Sequence, residues 1–149
     1  MSTLFICRGL PASGKTTYTR AAIAKAPPGT LARVNRDDLR RMLFGPDYRR
    51  PDPQLEPDVT CAEHTLIGNF LTAGTDVIVD DTNLHLKHVL ALEALTELTG
   101  THVVILDHFL RVPLEVCIQR DTTRPPGEQV GAEVITAMWN RYTQQQAGR

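Results

Sequence analysis

Chemistry first becomes visible at Gly9-Leu10-Pro11-Ala12-Ser13-Gly14-Lys15-Thr16, which fits the pattern G-x-x-x-x-G-K-S/T directly after an apolar run. Such a loop binds polyphosphate for physical reasons. Its glycines let the backbone curl until its amide hydrogens, with the positive end of the following helix, face an anion. On this reading Gly9, Pro11, Ala12, Ser13, Gly14, Lys15, Thr16 and Thr17 form the nucleotide-binding segment. Lys15 neutralises the β- and γ-phosphates, and the Thr16 hydroxyl ligates Mg²⁺.

A metal at a phosphate loop also needs a carboxylate, normally at the end of a buried strand. The run Asp76-Val77-Ile78-Val79-Asp80-Asp81-Thr82-Asn83 supplies two. Neighbours in a strand point to opposite faces, so one aspartate faces the magnesium and the other is a cap or a surface charge. Alternation alone does not choose between Asp80 and Asp81. A second acidic pair stands in Asn35-Arg36-Asp37-Asp38-Leu39-Arg40-Arg41. Ligands of open parallel sheets bind beyond the carboxyl ends of the strands, so Asp37 and Asp38 should emerge near the phosphate loop. There one of them caps a helix starting at Leu39, and the other accepts a proton from an attacking hydroxyl.

Residues 33–50 hold six arginines (Arg33, Arg36, Arg40, Arg41, Arg49 and Arg50) and three aspartates (Asp37, Asp38 and Asp47), a local charge of +3 in a chain of net charge −1. Arginine's planar fork suits bidentate phosphate binding, which favours an acceptor that itself carries a phosphate. Against this stands a compositional bias, thirteen Arg to three Lys along the whole chain.

The elements that must position these residues follow from periodicity. Apolar β-branched runs at residues 4–7, 31–34, 76–79 and 102–106 alternate with helical spacings, which reads as α/β with a mainly parallel sheet flanked by helices. Three stripes recur at helical intervals and are expected to face the core: Val59, Ala62, Leu66, Ile67, Phe70 and Leu71; then Leu86, Val89, Leu90 and Leu95; then Val134, Ile135, Met138, Trp139 and Tyr142. Four prolines and no apolar period make residues 45–57 a loop of about a dozen residues. The segment 122–131, with Arg124-Pro125-Pro126-Gly127, is a candidate mobile cover, and residues 144–149 read as a fraying helix end.

A length of 149 residues fits one domain, 1–149, and 42% hydrophobic composition excludes a disordered chain. No apolar run approaches the roughly 20 residues of a membrane helix, and no secretory signal opens the chain, so a cytoplasmic location is expected. Cys7, Cys61 and Cys117 show no disulfide or zinc spacing and read as reduced and buried. The near-neutral charge excludes a broad cationic coat for duplex DNA, so any nucleic-acid contact must be local. His85 and His88 lack an evident third metal ligand and read as surface or capping residues.

Taken together, the phosphate loop at residues 9–16, Asn35-Arg36-Asp37-Asp38 with Arg40, Asp81-Thr82-Asn83-Leu84 and the basic break from Arg120 to Arg124 resemble the kinase domain of phage-type polynucleotide 5′-hydroxyl kinases. The phosphate loop is shared by many families; the other segments together are more specific. The resemblance runs through nearly the whole chain and implies a P-loop kinase fold with a lid. It implies ATP and Mg²⁺ as donor and cofactor, and DNA or RNA 5′-OH ends as substrate. Residue by residue, it implies Asp37 as general base, Arg40 as the grip on the phosphate beside the acceptor nucleoside, and Asp81 at the metal with Thr16. It places Arg120 and Arg124 on the lid, with Arg124 bracing the transferring group as a catalytic residue beside Lys15 and Asp37, and Thr82 and Val130 near the acceptor. Many such kinases carry a phosphatase domain, for which no residues remain here, so 3′-phosphatase activity is not expected. If the chain is phage-encoded, its compartment is the host cytoplasm.

Two rivals stand beside this reading. A P-loop small-molecule kinase acting on a sugar acid, nucleoside or antibiotic hydroxyl would share the loop and the base without needing a grip on acceptor phosphate. A non-enzymatic nucleotide switch is the more distant rival; no Asn-Lys-x-Asp guanine-reading segment is present. RNA or DNA preference, end geometry, donor specificity and oligomeric state are not encoded legibly.

Overall fold

The computed structural model describes residues 1–48 and 50–148. Its four strands are β1 (Thr3–Cys7), β2 (Leu31–Val34), β3 (Asp76–Val79) and β4 (His102–Leu106). They fall on the apolar runs because the inner strands β1 and β3 have no solvent-facing side, whereas the edge strands β2 and β4 carry Arg33 and His102 and stay partly exposed. The sheet is wholly parallel in the order β2-β3-β1-β4, with Leu4 opposite Val77 and Val103, and Arg33 opposite Ile78. Parallel neighbours need crossovers, and helices supply them.

Helices α1 (Lys15–Lys25), α2 (Arg36–Phe44), α3 (Glu56–Thr72), α4 (Leu86–Ala94), α5 (Leu114–Thr122) and α6 (Ala132–Ala147) alternate with the strands or follow them, with short 3-10 turns at His108–Arg111 and Pro126–Glu128. One side of the sheet buries Leu4, Ile6, Val77 and Val79 against Leu39 of α2, Val59, Ile67 and Leu71 of α3, and Val89 and Leu92 of α4. Each such side chain stabilises the fold by about 1.5–3 kcal/mol. Cys7 and Ile78 pack with Phe109, and a third cluster joins Leu10, Cys117 of α5 and Ile135 of α6. Among the described residues, no helix is long and apolar enough to cross a membrane.

Several expectations change. Helix α2 begins at Arg36 rather than Leu39, and its cap is Asn35, whose Oδ1 accepts from the Asp38 amide at 2.9 Å. Neither Asp37 nor Asp38 caps; both sit in the first turn, where their charge meets the positive end of the helix. The long loop ends at residue 55, since Pro57 is tolerated in the first turn of α3. Phe70, Leu90 and Val134 lie on the solvent side of their helices, and Cys61 is exposed. The end of the chain is helical through Ala147. Arg49, one of the six clustered arginines, lies outside the described residues, as does Arg149.

Candidate active site

The phosphate loop turns between β1 and α1. It needs two special backbone positions, Ala12 at φ 61° and Gly14 at φ 102°, both in the left-handed region, so the last residue before α1 is one that pays no Cβ penalty there. Gly9 is required for a different reason. A Cβ at this position would lie 2.6 Å from Phe109 Cβ and 2.7 Å from Ser13 Oγ, so the 3-10 turn after β4 approaches the loop too closely for a side chain. Backbone bonds brace the loop: the Gly9 amide donates to the Thr82 carbonyl at 3.0 Å, and the Arg8 amide to that of Leu106 at 3.0 Å.

Lys15 is buried and folds back over its own loop, donating to the carbonyls of Gly9 at 2.9 Å and Leu10 at 2.7 Å and to Ser13 Oγ at 3.3 Å. Burial pulls its ammonium down from 10.5 to about 8, only partly offset by the Asp80 carboxylate. A cation short of anionic partners faces the loop.

A cleft of about 530 Å³ opens beside it. Gly14, Lys15, Thr16 and Thr17 line it with Arg120 and Arg124 of the α5 end, and Ala12 and Tyr18 complete the lining. The fold thus brings the phosphate loop, Arg120 and Arg124 to one space. Pro11, Ser13 and Gly9 are not part of that lining; Ser13 is buried behind the loop.

The two aspartates after β3 part company. Asp80 turns toward α1 and is almost wholly buried, its Oδ2 accepting from Arg33 Nε at 2.8 Å, Arg33 Nη2 at 2.5 Å and Thr19 Oγ1 at 3.1 Å. Asp81 turns toward α2, its Oδ1 accepting from the Arg36 amide at 3.0 Å. Asp80 Oδ1 and Asp81 Oδ2 are buried without a hydrogen-bond partner. Burial pushes the Asp81 carboxyl well up, and the neighbouring Glu63 and Asp37 add like charge. Asp80 already has its cation in Arg33; Asp81 does not. Buried, partnerless carboxylate oxygens and the Thr16 hydroxyl are donors that a hard divalent cation takes, so their chemistry fits Mg²⁺, although Thr16 lines the first cleft and Asp81 the second.

At the start of α2, Asp37 is about half exposed, and its Oδ1 accepts from Arg40 Nη1 at 2.6 Å. No protein partner meets its other oxygen among the described residues. Arg40 is buried and also grips Glu56, Nε to Oε1 at 2.6 Å and Nη2 to Oε2 at 3.0 Å. Those bonds, Arg40's first and Arg36's after it, hold the Glu56 carboxyl at about 2. Thr82 lines a second cleft of about 370 Å³ with Arg36 and Asp81. Val130 lines neither cleft; its side chain packs against the Leu10, Cys117 and Ile135 cluster, and its amide donates to Asp121 Oδ1 at 3.0 Å.

A family model described as an AAA domain (AAA_33) matches residues 4–147. The chain belongs to this AAA-domain family. It is 28% identical over 144 residues to the L-seryl-tRNA(Sec) kinase of Methanococcus maripaludis, covering 93% of this chain and 52% of that one. It resembles a chain of the Pnkp1/Rnl/Hen1 RNA repair complex at a TM-score of 0.80 and 26% identity, covering 99% of this chain and 46% of that one. A further Pnkp1/Rnl/Hen1 structure matches at 0.70 and 28%, covering 84% and 40%. This AAA-domain chain therefore spans about half the length of these three relatives or less. Its sheet, phosphate loop and flanking helices make a P-loop kinase fold.

Some residues of the site were not legible beforehand. Arg33 joins Asp80 to Asp38. Glu56 and Glu63 of α3 take the Arg36 guanidinium at 2.7 and 2.6 Å. Arg33, Arg36, Arg40 and Arg41 are therefore each paired with an acid, the first three with acids outside residues 33–50. One signal was available: Glu63 stands four residues from both Val59 and Ile67, on the buried stripe, where an acid demands a cation. Asp121, buried at the end of α5, accepts from the amides of Val130 and Gly131 and sits 3.5 Å from Arg124, so it anchors the lid segment at both ends. His85 caps α4, its Nδ1 accepting from the Lys87 amide, and no group of three metal-binding side chains occurs among the described residues.

Proposed function

We propose that this domain is an ATP-dependent kinase that transfers the γ-phosphoryl group to the 5′-hydroxyl of a DNA or RNA end. The observation that carries the proposal is the Asp37–Arg40 pair, a half-free carboxylate held at 2.6 Å by a buried arginine, at the carboxyl edge of the sheet that also presents the phosphate loop. A carboxylate base with an arginine on one turn of helix suits an alcohol acceptor with a phosphate next to it, which Arg40, its three guanidinium nitrogens held by Asp37 and Glu56, would grip by exchanging one of those partners. Two relatives above 25% identity, one named for seryl-tRNA and the other for RNA repair, support an acceptor hydroxyl borne on nucleic acid. The seryl-tRNA kinase likeness also supports a second reading, a hydroxyl carried on charged tRNA.

In this account the phosphates lie on the amides of residues 9–16 with Lys15 turned from its loop carbonyls to their oxygens. Asp37 orients the 5′-hydroxyl and takes its proton as the oxygen attacks the γ-phosphorus; the bond to ADP breaks, and Arg124 meets the charge on the transferring group. Thr16 and Asp81 are the residues that would hold Mg²⁺, which would supply neutralisation of the nucleotide's phosphate charge. The lid arginine Arg120 binds the nucleotide, and Thr82 borders the acceptor. The Val130 side chain, packed inward, lines the acceptor only if the lid segment shifts.

The test is transfer of labelled γ-phosphate from ATP to a matched set of acceptors: 5′-OH DNA, 5′-OH RNA, seryl-tRNA, a nucleoside and gluconate. Preferred labelling of the 5′-OH strands supports the proposal. Labelling confined to seryl-tRNA or to a small alcohol overturns it.

A further inference from the structure

The second cleft extends from Arg36, Asp81 and Thr82 along the start of α4 to the last turns of α6. The charges in its outer part are of one sign. Lys87 and Arg141 both line it, both are exposed, and neither has an acidic partner among the described residues, whereas Arg33, Arg36, Arg40, Arg41 and Arg124 each have one. Arg141 finds only the Ala137 carbonyl of its own helix, at 3.4 Å. Asp81 at the inner end is the only acid in the lining.

The cleft also has a flat face. Tyr142 is half-buried in its wall, with Trp139 at 5.7 Å on one side and the Arg8 guanidinium 6.0 Å above the ring. Arg8 is fixed there by the carbonyls of Asn83 and Leu84, at 2.8 and 3.0 Å, and so cannot swing out to an anion. An aromatic platform held from behind, next to unpaired cations on a groove that runs out from the acceptor end, is the combination by which proteins hold single strands: bases stack and phosphates are neutralised. Burial and the surrounding cations Lys87 and Arg36 push the His88 imidazole down, as a positive groove would.

We infer that this cleft is a strand-binding subsite for the nucleotides that follow the reacting 5′ end, with Lys87 and Arg141 neutralising a phosphodiester and Tyr142 stacking on a base. The inference rests on the polynucleotide reading above and adds an extension site to it. It also locates the nucleic-acid contact in a chain without a general cationic surface. The subsite lies on the α4–α6 side of the second cleft, whose inner end reaches Asp81 and Thr82, and that cleft shares no lining residue with the one that receives ATP.

The test compares Lys87→Ala, Arg141→Glu and Tyr142→Ala with wild type, using a nucleoside 3′-monophosphate and a 5′-OH 12-mer as acceptors. A 3′-fluorescein 12-mer without ATP gives binding directly by anisotropy. In wild type the 12-mer should have the higher kcat/KM. Each variant should lose about tenfold or more in 12-mer affinity and kcat/KM, through KM, while kcat, the mononucleotide and the KM for ATP stay unchanged. Removing a cation should also flatten the salt dependence of 12-mer binding by roughly 0.7 in log–log slope per lost phosphate contact. Equal loss on both acceptors, or variants that bind the 12-mer like wild type, overturns the subsite and leaves the kinase reading standing. Wild-type protein that labels neither 5′-OH acceptor and does not bind the 12-mer removes both.

Discussion

Nucleotide binding should draw protons from solution at alkaline pH, because Lys15 is held near its loop by carbonyls that carry only partial charge. The free protein keeps the Lys15 ammonium at about 8 against an ordinary 10.5, with burial as the main cause, a difference worth roughly 3 kcal/mol. Phosphate oxygens arriving over the loop supply the missing negative charge and restore the protonated form. At pH 8 about half of the free molecules then hold a neutral Lys15, so ATP binding takes up about half a proton, rising to about 0.9 at pH 9. Affinity is flat below pH 8 and weakens above it, by up to about tenfold per pH unit. Calorimetric titration of ATP at pH 8 and pH 9, in buffers of different ionisation enthalpy, reads the uptake directly. Lys15→Arg should abolish it, since arginine stays charged. The folding sign follows the same logic: the depressed folded value means that nucleotide-free protein gains stability as pH rises from about 8 toward 10.5. Buffer-independent binding enthalpies at both pH values would refute the reasoning.

Three further outcomes follow from particular contacts. Gly9→Ala places a methyl 2.6 Å from Phe109 Cβ, so the loop or the 3-10 turn must move; a loss of about 1–3 kcal/mol in urea unfolding and weaker ATP binding are expected, and unchanged values for both would contradict the close approach. Arg124→Ala should slow transfer about 10³-fold or more while ATP affinity changes far less; equal losses in the two would make it a nucleotide anchor only. Glu56, held at about 2 against an ordinary 4.5, contributes stability that is present above about pH 4.5 and disappears as pH falls toward 2. Glu56→Gln should flatten that acid limb of the unfolding midpoint, and an unaltered limb would remove the Arg36 and Arg40 ion pairs as its origin.

What could be read from residues alone, and what could not, divides along contact range. The four strands were legible because short β-branched apolar runs recur between helical spacings, even where the edge strands β2 and β4 stay partly exposed, and the phosphate loop because its shape depends on local glycines. Helix α1 carries no apolar stripe at all; its buried residues are Lys15 and Thr19, so only the loop before it gave it away. The start of α2 was missed because Asn35, Asp37 and Asp38 are all good caps, and only the fold decides at which of them the first helical turn begins. The Arg36, Arg40, Glu56 and Glu63 network joins residues up to 27 apart in sequence, a separation that spacing rules do not reach. Phe70, Leu90 and Val134 look periodic in sequence, yet each helix has a narrower covered face than its apolar residues span.

The central claim is that Asp37 activates the acceptor alcohol across from a triphosphate seated on the glycine turn, and single-turnover transfer from preloaded ATP to a 5′-OH strand by Asp37→Asn tests it most directly. The account predicts ATP binding within about threefold of wild type and a transfer rate lower by about 10²-fold or more. Transfer at close to the wild-type rate, with ATP fully bound, would contradict it.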